Sequence, residues 1–155
     1  MRVYLVQHGE AVPEAENPDR PLSQKGRQDV ERLASLLARG GARVARVLHS
    51  PKARARDTAV LYSQVLGPNG VVEEVDHGLS PNDTTDAIAG AIAGWEEDVM
   101  VVGHLPHMAH LASRLVTGSD DIGVVTFEPG AVACLEAGEA TWSVIWMAGP
   151  SLIGQ

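Results

Sequence analysis

The chain opens on Arg2-Val3-Tyr4-Leu5-Val6, an unbroken and partly β-branched apolar run, and turns polar at Gln7-His8-Gly9-Glu10. Such a run suits a central strand buried on both faces. A loop rich in Pro, Glu and Asn follows from Val12 to Pro21. From Ser23, a good N-cap, apolar residues recur at Val30, Leu33, Leu36 and Leu37 until Gly40-Gly41, which predicts an amphipathic helix. Val44 to Leu48 predicts a second strand. Ser50-Pro51 then reads as an N-cap with proline at the first helical position, and Thr58, Leu61, Tyr62 and Val65 as the inward stripe of a second helix.

Val71 to Val75 predicts a third strand, and Leu79-Ser80-Pro81-Asn82-Asp83 a turn into a small-residue helix that runs to about Gly94. Asp98 to Val102 is a fourth strand, with glycine and histidine directly after it. Met108, Leu111, Ala112 and Leu115 mark one face of a further helix. From Gly123 onward the pattern shortens, and Val124 to Phe127, Ala131 to Glu136 and Thr141 to Met147 read as short strands between glycine-containing turns. Strands alternating with helices imply right-handed crossovers and a mostly parallel sheet covered on both faces, with the late strands adding an antiparallel edge. The expected fold is therefore a three-layer α/β/α sandwich, and no repeat or linker divides residues 1–155 into more than one domain.

In open α/β sheets, ligands bind beyond the carboxyl ends of the strands, where helix N-termini also point. His8 follows the first strand, Ser50 to Arg54 the second, Ser80 to Asp83 the third and His104 the fourth. If these strands are parallel, the four groups share one edge. Two histidines, an arginine and helix N-termini there suit a phosphoryl group, which needs an in-line nucleophile and donors for its equatorial oxygens. Neutral His8 can attack phosphorus through one ring nitrogen while the other donates to a carbonyl. Arg54 can offer its planar fork of N–H groups, and His104 a single donor.

Nucleotide-binding glycine loops of either common type are absent. His104, His107 and His110 do not make a metal site on a helix, because residues six apart point about 120° away from one another. No metal or other cofactor is expected, and His107 and His110 are expected to face solvent. The single cysteine, Cys134, lies in an apolar stretch and reads as a buried structural thiol, with no internal disulfide possible.

Composition narrows the partners. The chain has 155 residues, 45% of them hydrophobic, and a formal net charge of −8, which argues against nucleic-acid and anionic-membrane binding. The first residues lack the features of a signal peptide, so a cytoplasmic location is expected. Ten of the twelve basic residues nevertheless fall between Arg20 and Arg56, against only Asp29 and Glu31. An anionic ligand would find its partners in that segment.

Taken in order, "LVQHGEA", "RPLSQKG", "LHSPKARARDTA" and "VVGHLPH" resemble the motifs of the histidine phosphatase superfamily, above all its compact SixA-like phosphohistidine phosphatases. The resemblance implies a phosphoglycerate mutase-like fold, His8 as nucleophile, and Arg54 and His104 as partners in catalysis. It also implies phosphate or substrate contacts from Arg20, with Gln7, Gly9, Ser50 and Asp83 as further candidates. Ser50 is expected to act as a cap, and Asp83 leads Glu10 and His104 as candidate general acid. The departure is Gln7, where the superfamily pattern has arginine.

Little chain is available for a lid, so the expected substrate is phosphohistidine on a protein, such as a histidine phosphotransfer domain. The alternative is a phosphate- or phosphohistidine-binding module that turns over little, because glutamine supplies no charge at position 7. A mutase acting on small phosphates is a weaker reading, since it calls for a lid and an obvious acid.

Overall fold

The computed structural model describes residues 1–67 and 69–154. Strand β1 (Arg2–Gln7) sits inside a six-stranded sheet with β2 (Arg46–His49), β3 (Val71–Glu74), β4 (Val99–Gly103), β5 (Val132–Ala137) and β6 (Trp142–Ala148), in the order β3-β2-β4-β1-β5-β6. The first four strands are mutually parallel, β5 runs antiparallel to β1, and β6 antiparallel to β5. This is the phosphoglycerate mutase-like sandwich that the motif order implied.

The apolar run of β1 divides its side chains between two cores, as strand periodicity requires. Tyr4 and Val6 join Val47, Met100, Val102 and Cys134 beneath α1 (Gln24–Arg39) and α2 (Ala53–Leu66). Val3 and Leu5 join Val99, Val101, Ala133 and Leu135 beneath α3 (Asp86–Ile92) and α4 (His107–Thr117). Burying each large aliphatic side chain contributes about 1.5–3 kcal/mol, which ties the strand register to the sequence pattern. Helix α1 starts as the sequence predicts: the Ser23 hydroxyl accepts from the Gly26 N–H at 3.0 Å.

Four expectations are corrected. Val124–Phe127 is not a strand, because β5 already occupies the free edge of β1; Val124, Val125 and Phe127 pack onto the α4-side core instead. Helix α2 begins at Ala53 with Lys52 as N-cap, so Pro51 precedes the helix and Ser50 is not its cap. Val65 is exposed, and α2 buries Ala55, Ala59 and Leu66 beside Thr58, Leu61 and Tyr62. His107 is fully buried rather than solvent-facing, while His110 is exposed. A short final helix, α5 (Pro150–Ile153), follows β6. Among the described residues, no helix is long and apolar enough to cross a membrane.

Candidate active site

The parallel register aligns the carboxyl ends of three strands. Gln7 of β1 pairs with Gly103 of β4, and His49 of β2 with Val102. The next backbone hydrogen bonds carry this alignment one residue further: His8 N–H donates to the Gly103 carbonyl at 3.0 Å, and Ser50 N–H to the Val102 carbonyl at 3.3 Å. His8, Ser50 and His104 are thereby fixed at one edge by main-chain bonds alone. Here Gln7, His8, Glu10, Ala11, Arg20, Arg54, Pro81, His104, Leu105 and Pro129 line a cleft of about 350 Å³.

His8 is oriented by its neighbour. Its Nδ1 lies 2.7 Å from the Gly9 carbonyl, an oxygen that can only accept, so Nδ1 carries the proton and Nε2 keeps a free lone pair. Gly9 N–H donates to Thr58 Oγ1 at 3.0 Å, and Thr58 Oγ1 donates to the Arg54 carbonyl one helical turn back, at 2.8 Å. The nucleophile's loop and the arginine's helix are thus joined through one buried hydroxyl. Gly9 is tightly enclosed: a Cβ there would meet Val30, Leu22 and the Gly26 carbonyl at 2.9–3.2 Å. At Gly26 a Cβ would lie 2.0 Å from the Glu10 carbonyl oxygen, so α1 can seat the loop only with glycine at that point.

Electrostatics keep both histidines neutral. Burial, helped by the Arg54 and Arg20 charges, lowers the pKa of His8 to about 4 against the opposing pull of the Gly9 carbonyl. Burial, then His8, Arg54, Lys52 and His107, lower that of His104 to about 3. Burial and Arg20 also lower the pKa of Arg54, which stays charged at any ordinary pH. The two imidazole rings stand 5.0 Å apart, centroid to centroid, with planes inclined at 56°.

Three buried polar atoms of this cleft have no hydrogen-bond partner among the described residues: Gln7 Oε1, Arg54 Nε and His104 Nδ1. Buried polar groups are ordinarily paired, so this concentration beside a candidate nucleophile marks a place where a polar ligand completes the bonding. Arg20 contributes from the loop between β1 and α1. Its backbone is left-handed at φ 48°, an uncommon conformation for a side-chain-bearing residue, and its Nε donates to the Val12 carbonyl.

A model of the histidine phosphatase superfamily (branch 1) matches residues 3–83, from β1 through the turn after β3. The chain belongs to the histidine phosphatase superfamily. An uncharacterized protein of Picosynechococcus sp. is 32% identical over 126 residues, 76% of this chain and 74% of the relative. Phosphohistidine phosphatase SixA of Escherichia coli (strain K12) is 25% identical, with 97% of this chain and 94% of the relative covered. A solved structure of the protein histidine phosphatase SixA complexed with tungstate superposes with a TM-score of 0.85 at 25% identity, covering 99% of each chain. The resemblance read from motif order is borne out, and the similarity supports a phosphatase.

The cleft gathers Gln7, His8, Arg20, Arg54 and His104, from the ends of β1 and β4, the first turn of α2 and one loop. Gly9 and Ser50 lie behind it: both Gly9 backbone groups are engaged within the protein, and the Ser50 hydroxyl meets His104 Nε2 at 2.6 Å. Asp83 does not line it. Its carboxylate accepts from the Gly78 and Ser80 N–H groups at 3.0 Å each and so holds the turn that presents Pro81. Glu10 does line the cleft, its carboxylate 3.6 Å from the Lys25 ammonium. Sequence reasoning missed Thr58 and Gly26. Thr58 sits four residues after Arg54, the spacing of one helical turn, and was read only as part of an apolar stripe.

Proposed function

We propose that the protein is a phosphatase that removes the phosphoryl group from phosphohistidine on a protein, through a covalent intermediate on His8. One observation carries the reading. His8 is neutral and fixed by the Gly9 carbonyl, in a cleft where Arg54 Nε and His104 Nδ1 are buried without partners. Those two groups are suited to equatorial oxygens of a transferring phosphoryl group. The tungstate bound by the related SixA structure is a tetrahedral oxyanion, consistent with such a cradle.

In the first step the lone pair of His8 Nε2 forms a bond to phosphorus while the P–N bond to the substrate imidazole breaks. That bonding pair stays on the leaving nitrogen, which takes a proton, with Glu10, a carboxylate lining the cleft, as the candidate donor. In the second step water attacks phosphorus and gives a proton back to the Glu10 carboxylate, the bond to His8 breaks with its electron pair returning to Nε2, and inorganic phosphate leaves. Gln7 can turn its amide NH2 toward a phosphoryl oxygen at no cost in existing bonds, since its own oxygen has none. Access supports this substrate class: residues of loop 8–23 with Pro81, Leu105 and Pro129 surround an open cleft, suited to a side chain projecting from a protein surface such as a histidine phosphotransfer domain.

The test is single-turnover phosphate release from a phosphorylated histidine phosphotransfer domain, comparing wild type with His8→Ala. Release by wild type that is lost in the variant is expected. A second reading, a phosphohistidine-binding module, draws on the uncharged Gln7. Wild type that binds the phosphorylated domain more tightly than the unphosphorylated one, without releasing phosphate, would replace the enzyme reading with that one.

A further inference from the structure

The hydroxyl of Ser50 is fully buried and lies 2.6 Å from His104 Nε2. It has one other neighbour among the described residues, the Lys52 N–H, which donates to it at 3.4 Å. The bonding can therefore be worked out in full. A hydroxyl has one proton to give, and among the described residues the only acceptor bonded to it is His104 Nε2. If Nε2 carried the ring proton instead, Ser50 Oγ would accept twice and its own proton would be stranded in a dry site, which is costly.

From this pair we infer that Ser50 is a positioning residue, which holds His104 as the Nδ1-protonated tautomer so that Nδ1–H, the ring's one unpartnered nitrogen, is the donor offered to an oxyanion in the cleft. This role rests on the phosphatase reading for its catalytic meaning but not for its geometry. The sequence pattern made Ser50 a helix cap. The structure starts the helix two residues later, with Lys52 as its cap, and leaves the hydroxyl to His104. The link also runs between adjacent strands, since Ser50 follows β2 and His104 follows β4, so the ring is aimed by the sheet rather than by a loop. A second histidine that donates must not present a bare lone pair to a phosphoryl oxygen, and fixing its tautomer removes the repulsive alternative.

The experiment uses the whole chain with ¹⁵N-labelled histidine and records ring ¹⁵N–¹H correlations near pH 7, with and without tungstate as the oxyanion probe. Expected in wild type is a His104 ring protonated at Nδ1 and bare at Nε2, with Nδ1–H shifting when tungstate is added. Ser50→Ala should move His104 toward the Nε2-protonated form that free histidine prefers and lower kcat about tenfold, the scale of one hydrogen bond, with KM little changed. Wild-type His104 protonated at Nε2, or a Ser50→Ala protein that keeps the Nδ1-protonated form, would overturn the inference. Should the variant fail to fold, the wild-type spectrum decides alone. Phosphate release is scored separately: its absence in wild type would remove the phosphatase reading, while the tautomer still reports on Ser50.

Discussion

Replacing Gln7 by arginine tests the chemistry of the cleft most directly, because the site is poor in positive charge for a phosphoryl dianion. Arg54 and Arg20 are its two guanidinium groups, and both histidines are neutral at pH 7 because burial depresses them to about 4 and about 3. Gln7 adds a dipole whose oxygen is buried and unpaired. A neutral hydrogen bond contributes about 0.5–1.5 kcal/mol and one to a charged group about 1.5–3 kcal/mol. The gain from Gln7→Arg is therefore about 1–2 kcal/mol, or roughly five- to thirtyfold, with the hundredfold effect of an oxyanion donor as the upper scale. Two assays read it: the affinity for tungstate, which needs no knowledge of the substrate, and the single-turnover rate with a phosphorylated phosphotransfer domain. The empty variant should also melt at a lower temperature, since a third guanidinium beside Arg54 and Arg20 is repelled, and tungstate should restore the loss. A variant that gains neither affinity nor rate would refute the assignment of position 7 to the phosphoryl cradle.

Two further outcomes are expected. A ¹⁵N titration of the His8 ring should find it neutral down to about pH 5, with a midpoint near 4 rather than 6.5. The lowered pKa keeps the nucleophile unprotonated as pH falls through the usual histidine range, so phosphoryl transfer should not decline there; a midpoint near 6.5 would contradict the burial described for the ring. Thr58→Val keeps the side-chain shape but leaves the buried Gly9 N–H without its acceptor, which should cost about 1–3 kcal/mol and lower the melting midpoint by roughly 2–12 °C for a chain of this size. An unchanged midpoint would mean that Thr58 does not hold the nucleophile's loop.

The fold was legible where the apolar pattern is unbroken or periodic. Val3 to Val6 and Val99 to Val102 are continuous buried runs, the faces of α1 and α4 repeat with the helical turn, and element ends followed from where each pattern stopped. The segment 124–127 has the composition of a strand but packs on the α4-side core while β5 takes the place beside β1, a fact of topology rather than of local pattern. The site was legible to the extent that a topological rule converts sequence position into place: a residue after a parallel strand lies at the carboxyl edge. That rule collects His8, Arg54 and His104 and says nothing of what stands behind them. Ser50 looked like a cap because Ser-Pro often is one, and only the approach of His104 across the sheet shows where its hydroxyl goes. His107 carries no pattern of its own, and with a metal site set aside a solvent-facing position is only its default. The β3–α3 turn covers it, with the Thr84 carbonyl 3.3 Å from its Nε2.

A neutral residue at position 7 and phosphohistidine as substrate fit one another on chemical grounds. In a loose phosphoryl transfer the charge that needs stabilising accumulates on the leaving group as well as on the equatorial oxygens. An alkoxide leaves with a full negative charge unless an acid meets it, and the cleft offers only Glu10, half-exposed and next to Lys25. An imidazole leaves as a neutral molecule once its nitrogen is protonated, so less of the barrier falls on the protein's cations. The cradle then has to hold the oxygens and present His8, tasks served by Arg54, by the donor of His104 and by the carboxamide of Gln7. A phosphoester would ask the same residues for a stronger acid and more charge than a phosphohistidine does.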